Sequence, residues 1–433
     1  MSISSSMNAG VAGLRANANR LATISDNIAN SATYGYRRSQ TNFHSMVVGS
    51  GAAGEAMYTA GGVRTTSQRL VDQGGGLVGT QNATDIALSG RGFLPVTTEI
   101  GATLQDGTAP MLLTTTGSFR MDANGYLRDA AGYTLLGIPA LQDGTIPPFP
   151  RDSISGLRPV RIDTNQQAFT ATTRIDLGVN LPASATLPTA SGAPAFLSVE
   201  FFTTLGLSNT IEVEFTPVLT PPTASNTWEM NLVHAETGDA LGNYTLVFDD
   251  APGTAGTLRS VTPDPDAASD IKVITLSIGG QDIELSLGEI GVADGIVQRG
   301  ATFSGAGVQQ DGVGAGNIIG LMIDASGNLE AVYDQGFRRT LYRIPIVDVP
   351  NPNGLTALDS QAFRVSGDSG SFYLWDAGTG PVGDFVGFAL QESATDIAAE
   401  LTSLIQTQRA YSSNAKVIQT VDEMLQETTN IKR

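Results

Sequence analysis

The chain contains no cysteine, which excludes a disulfide framework, a thiolate metal site and a cysteine nucleophile together. Only His44 and His234 could act as imidazole bases or ligands. Positive charge is scarce as well: 24 Lys and Arg stand against 42 Asp and Glu, a formal net charge of −18 over 433 residues. Nucleic-acid binding draws much of its affinity from a basic surface, so this balance excludes DNA and RNA as natural partners. No run approaches the ~18 consecutive apolar residues of a membrane-spanning helix, so no membrane insertion is expected. The first residues, MSISSSMNAGVAGLRANANRL, lack a basic stretch followed by an apolar one, and no Sec-type leader is expected. Aromatic residues make up 6% of the chain and charged residues 15%.

What is abundant is glycine, 50 residues of it, together with Thr, Ser, Asn and Ala. That mixture suits a turn-rich β protein with polar surfaces better than a compact enzyme. A hydrophobic content of 41% argues against wholesale disorder, and the length implies several domains.

The two ends follow a different period from the middle. Met7, Val11, Leu14, Ala18, Leu21, Ile24 and Ile28 recur at spacings of four and three, which places them on one stripe of a helix. Leu390, Ala394, Ile397, Leu401, Leu404, Gln408, Tyr411, Ala415 and Ile418 do the same, and Val421 and Leu425 resume the stripe after a phase shift. Gly10 and Gly13 lie inside the first stripe among other weak helix formers, so that helix needs a partner. Both ends are therefore coiled-coil candidates, able to pair with each other and with neighbouring subunits.

Between them the period falls to two. Ile175, Leu177, Val179 and Leu181 alternate, as do Ile211, Val213 and Phe215; Trp228, Met230 and Leu232; and Tyr244, Leu246 and Phe248. Residues 271–287 read as a hairpin around a Gly279-Gly280-Gln281-Asp282 turn. A β-sandwich or barrel is expected from about 155 to 305. Strand-turn units flank it around Asn124-Gly125, Ala131-Gly132 and Ser326-Gly327. Residues 43–63, rich in Gly and Ala without period, read as an irregular connector.

Three motifs resemble chemistry. Gly74-Gly75-Gly76-Leu77-Val78-Gly79 fits a phosphate-cradling pattern, but no buried strand precedes it and no amphipathic helix follows. Gly367-Asp368-Ser369-Gly370 resembles a serine nucleophile segment, yet His44 would have to be its base from the far end of the chain; GDSGS reads as a turn. Asp122-Ala123-Asn124-Gly125 and Asp324-Ala325-Ser326-Gly327 lack the ligand count of a calcium loop and read as β-turns. No catalytic, cofactor or metal residue is assigned.

The run from Gly13 to Phe43, GLRANANRLATISDNIANSATYGYRRSQTNF, resembles the N-terminal signature of the bacterial flagellar axial proteins, the rod and hook subunits. Its centre is Asp26, Asn27, Ile28, Ala29, Asn30 and Ser31, followed by Thr33, Gly35 and Tyr36. The family's usual lysine after that tyrosine is Arg37 here. ATDIALSGRGFLPV at 83–96, TGSFRMDANGYLRDAAGYTLLG at 116–137 and the C-terminal segment with Gln408-Arg409-Ala410-Tyr411 fit the same pattern. The family's Ser-Asn-Val-Asp run is Ser393-Ala394-Thr395-Asp396. The extra block at 155–305 and the segment 327–355 resemble the hook branch of the family.

That resemblance implies a mixed α and β multidomain chain. Residues 1–30 and 386–433 would supply the helices of an inner coiled-coil domain, packed through Met7, Val11, Leu14, Leu21, Ile24, Ile28, Leu390, Ile397, Leu401, Leu404, Tyr411 and Ile418. Residues 31–75 would be a connector, 76–154 and 306–385 a middle β domain, and 155–305 an inserted outer β domain, nested one within another. It also implies a non-enzymatic, cofactor-free subunit of an extracellular curved hollow tube, a universal joint that carries motor torque from rod to filament. The implied partners are copies of itself, rod proteins, the hook cap, hook–filament junction proteins and the type III export apparatus, which would carry it outward without a cleaved Sec signal. A distal rod or hook–filament junction protein is the alternative within the class, and a secreted β-rich enzyme the remote one.

Overall fold

The computed structural model describes residues 3–47, 60–103, 110–141, 144–163, 167–263 and 273–431. The chain divides into two compact units. One comprises Met1–Asp163, Gly320–Val332 and Arg338–Arg433; the other comprises Thr164–Ile319 with Tyr333–Phe337.

In the second unit the two-residue period becomes antiparallel sheet. Strands Ala195–Phe202, Ser208–Pro217, Thr227–His234, Ala240–Phe248 and Leu258–Pro263 pair in sequence order as a meander. A second sheet runs Val273–Ile278, Gln281–Ser286, Arg174–Asp176, Gln309–Gln310, with Arg174–Asp176 parallel to Gln281–Ser286. Alternate residues point to one side of a strand, and that side carries Val213, Phe215, Trp228, Met230 and Leu232 from the meander and Ile175, Ile283 and Leu285 from the other sheet. All of them join one buried cluster. The expected hairpin is present with a tighter turn than anticipated. Ile278 faces Gln281, leaving Gly279 and Gly280 alone at the corner with φ of 58° and 84°. Two consecutive positive φ values are what a two-residue turn between right-twisted strands needs.

The first unit begins with α1 (Ile3–Ala29) and includes a short α2 (Glu99–Thr103) and the long α3 (Ile397–Ile431). Its β body contains the run Arg338–Arg343, Thr134–Pro139, Leu94–Thr97, Leu112–Thr114 and Phe363–Arg364. Phe93, Leu113, Leu136, Ile138, Val347 and Phe363 form its core.

Two sequence expectations are overturned here. Residues 43–63 are not an irregular connector throughout: Ser39–Val47 and Ala60–Arg69 form an antiparallel hairpin, while 48–59 lie outside the described residues. The hairpin lies on α1. Asn19 Nδ2 donates to Thr65 Oγ1 at 2.9 Å, the Thr23 and Thr41 hydroxyls meet at 2.7 Å, and a Cβ on Gly62 would sit 2.9 Å from Ala12 Cβ. Such a strand needs no apolar alternation of its own, because the helix supplies its partner surface.

The second correction concerns the C-terminal helix, which does not reach back to 386. Ala389–Gln391 is a strand paired with Leu77–Gly79, so Leu390 belongs to sheet and not to the helical stripe. The helix starts only after Asp396, whose Oδ1 accepts the backbone N–H of Ala398 at 2.9 Å and of Ala399 at 3.2 Å. An N-cap carboxylate satisfies the orphan donors of the first turn and defines where the helix begins.

Candidate functional site

The end helices run antiparallel: Gly10 lies against Ile418, Gly13 against Asn414 and Asn27 against Glu400. Cβ atoms on Gly10 and Gly13 would stand 3.1 Å from the Ile418 side chain and 3.0 Å from that of Asn414. Glycine there lets the two backbones approach closely.

Where α1 ends, the contact becomes polar. Asn27 is 1% exposed, yet all four of its hydrogen-bonding positions are used. Nδ2 donates to the Ser39 carbonyl at 2.8 Å and to Glu400 Oε1 at 3.0 Å; Oδ1 accepts from Ser39 N at 2.9 Å and from the Tyr36 hydroxyl at 3.1 Å. Glu400 is itself buried. One amide thus ties α1, the turn after it, the start of the hairpin and the first turn of α3. A buried polar pair between helices fixes register, since sliding would leave both groups without partners.

The other motif residues shape the same turn. Asn30 Nδ2 returns to the Asp26 carbonyl at 2.9 Å and to Asp26 Oδ1 at 3.1 Å, closing the helix end. Gly35 has φ of 71°, and its N–H donates to the Gln391 carbonyl at 2.7 Å. Tyr36 shares its hydroxyl between Asp26 Oδ2, at 3.0 Å, and Asn27 Oδ1. Burial, then the hydrogen bond and charge of Asp26, push the Tyr36 pKa up to about 12, against the opposing charge of Arg69. The neutral phenol is therefore favoured by folding. Its stabilisation is fully present below the ordinary value of 10.0 and is lost as pH rises toward 12. Tyr36→Phe should remove that loss: between pH 10 and 12 the wild type should fall in urea-unfolding stability faster than the variant, and parallel profiles would contradict the assignment.

The glycine run is explained by packing. A Cβ on Gly75 would stand 2.2 Å from the Glu392 carbonyl oxygen, and one on Gly74 2.5 Å from Gln391 Nε2. These glycines let the chain press against the segment that leads into α3, which accounts for them without a nucleotide. Ser369 is 0% exposed; its Oγ accepts from Ser366 N and donates to the Ser366 carbonyl at 2.9 Å, so GDSGS is a turn. Asp122 Oδ1 accepts from Asn124 N and Tyr126 N, and Asp324 Oδ1 from Asn328 N, the turn geometry expected of both. Among the described residues no cluster of His, Asp and Glu could hold a metal ion.

The sequence-derived packing stripe is only partly inside. Ile24 is buried, and Leu390 is buried within its strand; Val11, Leu14, Leu21, Ile28, Leu404 and Ile418 are half-buried. Met7 and Tyr411 are about two-fifths exposed, Ile397 is 49% exposed and Leu401 48%; Ile405, which the stripe did not include, is 50% exposed one turn beyond Leu401. Gln408, Arg409 and Ala410 are exposed, as are Asp26 and Ala29, while Asn30 is half-buried. The face α3 turns inward carries Glu400, Thr407 and Asn414 together with Ile418 and Val421 of the stripe. Asn27 meets Glu400, and Gln391 meets Gly35, Arg37 and Gly75. The sequence signal for Glu400 was a single acid between apolar Ile397 and Leu401, and Gln391 left no local signal.

Two end helices thus pack antiparallel beside a β body and are locked at a D-N-I-A-N turn. Residues 7–37 match the family described as flagella basal body rod protein, and 388–431 match the flagellar basal body rod FlgEFG protein C-terminal family. Full-length relatives then single out one branch: the flagellar hook protein FlgE of Brucella suis biovar 1 is 33% identical over 434 residues, covering 100% of both chains. That of Escherichia coli K12 is 28% identical over 98% of each. The chain belongs to the flagellar hook protein FlgE family. This is a family of structural proteins and not of enzymes. A crystal structure of the Helicobacter pylori flagellar hook protein FlgE2 aligns with 73% of this chain and 99% of that one, at 14% identity and a TM-score of 0.45.

Proposed function

We propose that the chain is the structural subunit of a flagellar hook, which polymerises into a curved hollow tube and transmits torque between rod and filament as a universal joint. The observation that supports this reading, beside family membership, is the apolar row Ile397, Leu401 and Ile405, about half exposed on a helix whose other face already has its partner. Exposed apolar rows on a folded chain mark surfaces meant to be covered. Copies of the subunit cover them, and the end helices form a coiled-coil inner domain lining the channel, with the β units nested outside.

A spinning curved tube must let outer contacts lengthen and shorten while inner contacts hold. Thr-, Asn- and Gly-rich sheet surfaces supply shallow, replaceable outer contacts, and helices with apolar stripes supply fixed inner ones. Rod proteins, the hook cap, hook–filament junction proteins and the type III export apparatus are the partners this role implies, with the assembled protein outside the cell.

Purified chain should form curved tubes of uniform diameter in negative-stain microscopy; globular monomers at every concentration would exclude the reading. Protease should cut both ends of the free subunit and spare them in tubes. Equal protection in both states would exclude an assembly-coupled role for the helices.

A further inference from the structure

Arg37 is 6% exposed, and among the described residues its guanidinium makes one side-chain hydrogen bond, from Nη2 to the neutral Gln391 Oε1 at 2.9 Å. Its Nε is buried, with no hydrogen-bond partner among the described residues. No carboxylate lies within ion-pair distance of it among the described residues. Burial pulls its pKa down to about 10, with the charge of Asp72 pulling the other way, so the group stays cationic at neutral pH. A buried cation with one amide for company is costly, and such groups are ordinarily paired.

Arg37 forms one wall of an open cleft of about 340 Å³, with Arg91 and Asn353 on the others. Arg91 is tied by Nε to Asp348 at 2.7 Å and by Nη2 to the Val349 and Pro350 carbonyls, which fixes it in place and leaves Nη1 as its remaining donor. Asn353 Oδ1 accepts from Val71 N and Asp72 N, leaving its amide N–H groups as donors. Asp72 also lines the cleft and is exposed. Two guanidinium groups and an amide donor around a cleft of this size suit a planar carboxylate, which guanidinium recognises through paired N–H donors.

We propose that this cleft receives an Asp or Glu side chain from a second copy of the chain, as a charge-paired contact between subunits. The chain's own acidity selects that occupant: with 42 acidic against 24 basic residues, a neighbouring copy presents carboxylates in excess. The inference rests on the hook-subunit reading, because only assembly brings a second copy to the cleft.

The test uses Arg37→Lys, which puts a primary amine in the cleft, and Arg91→Lys at its rim. Tubes grown from equal parts of ¹⁴N and ¹⁵N chains are treated with a water-soluble carbodiimide, which joins amines to adjacent carboxylates. Mass spectrometry should find mixed-isotope peptide pairs joining the introduced amine to an Asp or Glu peptide, absent from the treated monomer. Coupling only within one chain, for example to Asp72, or no mixed-isotope product at either position, would overturn the proposal. So would a saturable rise in the melting temperature of wild-type monomer with acetate or inorganic phosphate together with no intermolecular product, since the cleft would then be a free-anion site. Microscopy of the unsubstituted protein reports separately whether tubes form at all.

Discussion

Asn27→Ala should destabilise the paired helices by about 3 kcal/mol or more and abolish tube formation. The estimate follows from what the substitution orphans. The Ser39 N–H, the Ser39 carbonyl, the Tyr36 hydroxyl and Glu400 Oε1 each lose the partner that Asn27 supplies, and a buried polar group left unpaired costs about 1–3 kcal/mol, not additively across a network. Urea unfolding followed by far-ultraviolet circular dichroism measures the loss. Asn19→Ala is the control: it removes one exposed bond to Thr65 on the same helix and should change stability by no more than about 0.5 kcal/mol. Equal effects of the two substitutions would show that the junction contributes nothing beyond an ordinary surface contact. Asn27→Asp should be at least as damaging at neutral pH, because it trades two donors for a carboxylate facing Glu400, and it should recover in part as acid protonates that site.

Gly75→Val should be as severe for a different reason. The added Cβ would meet the Glu392 carbonyl at 2.2 Å and that of Ser393 at 2.6 Å. Both obstacles are backbone, so no rotamer change relieves them. The chain must withdraw, and with it goes the pairing of Leu77–Gly79 with Ala389–Gln391 that leads into α3. A loss of about 3 kcal/mol, at the upper end for overpacking, is expected in the same unfolding assay. Gly132→Ala is the contrasting case: nothing lies within 4 Å of its added Cβ, and its positive φ of 89° alone carries the cost. A stable, assembling Gly75→Val protein would show that the close approach has no structural role.

The β elements of the inserted unit were legible because their signal is local. Trp228, Met230 and Leu232 alternate within one strand and are each 0% exposed, and Gly279-Gly280 carries its turn in the residues themselves. The hairpin Ser39–Val47 with Ala60–Arg69 was not legible, since α1 rather than its own side chains supplies the surface it packs on. Leu390 continued the helical spacing by chance, and pairing with Leu77–Gly79 overrode it; the N-cap at Asp396 was the local signal that marks the true boundary. At the helix contact part of the apolar stripe, Ile24, Ile418 and Val421 among it, does lie inward. Glycine, Asn27 and Glu400 occupy the intrachain contact, because close approach and register matter more there than apolar bulk, and much of the stripe is left outward. The D-N-I-A-N motif announced the family, but only the geometry explains why Asn27 and Gly35 are the residues that form the turn.

The proposed role requires the outward row of α3 to be buried by neighbouring copies. Helical reconstruction of the assembled tube by electron cryomicroscopy tests it directly. Ile397, Leu401 and Ile405 should each lose nearly all solvent exposure against helices of adjacent subunits, with α1 and α3 facing the channel and the Asn27–Glu400 contact intact. Helices lying on the outer surface of the tube, with these three side chains still in solvent, would contradict the account.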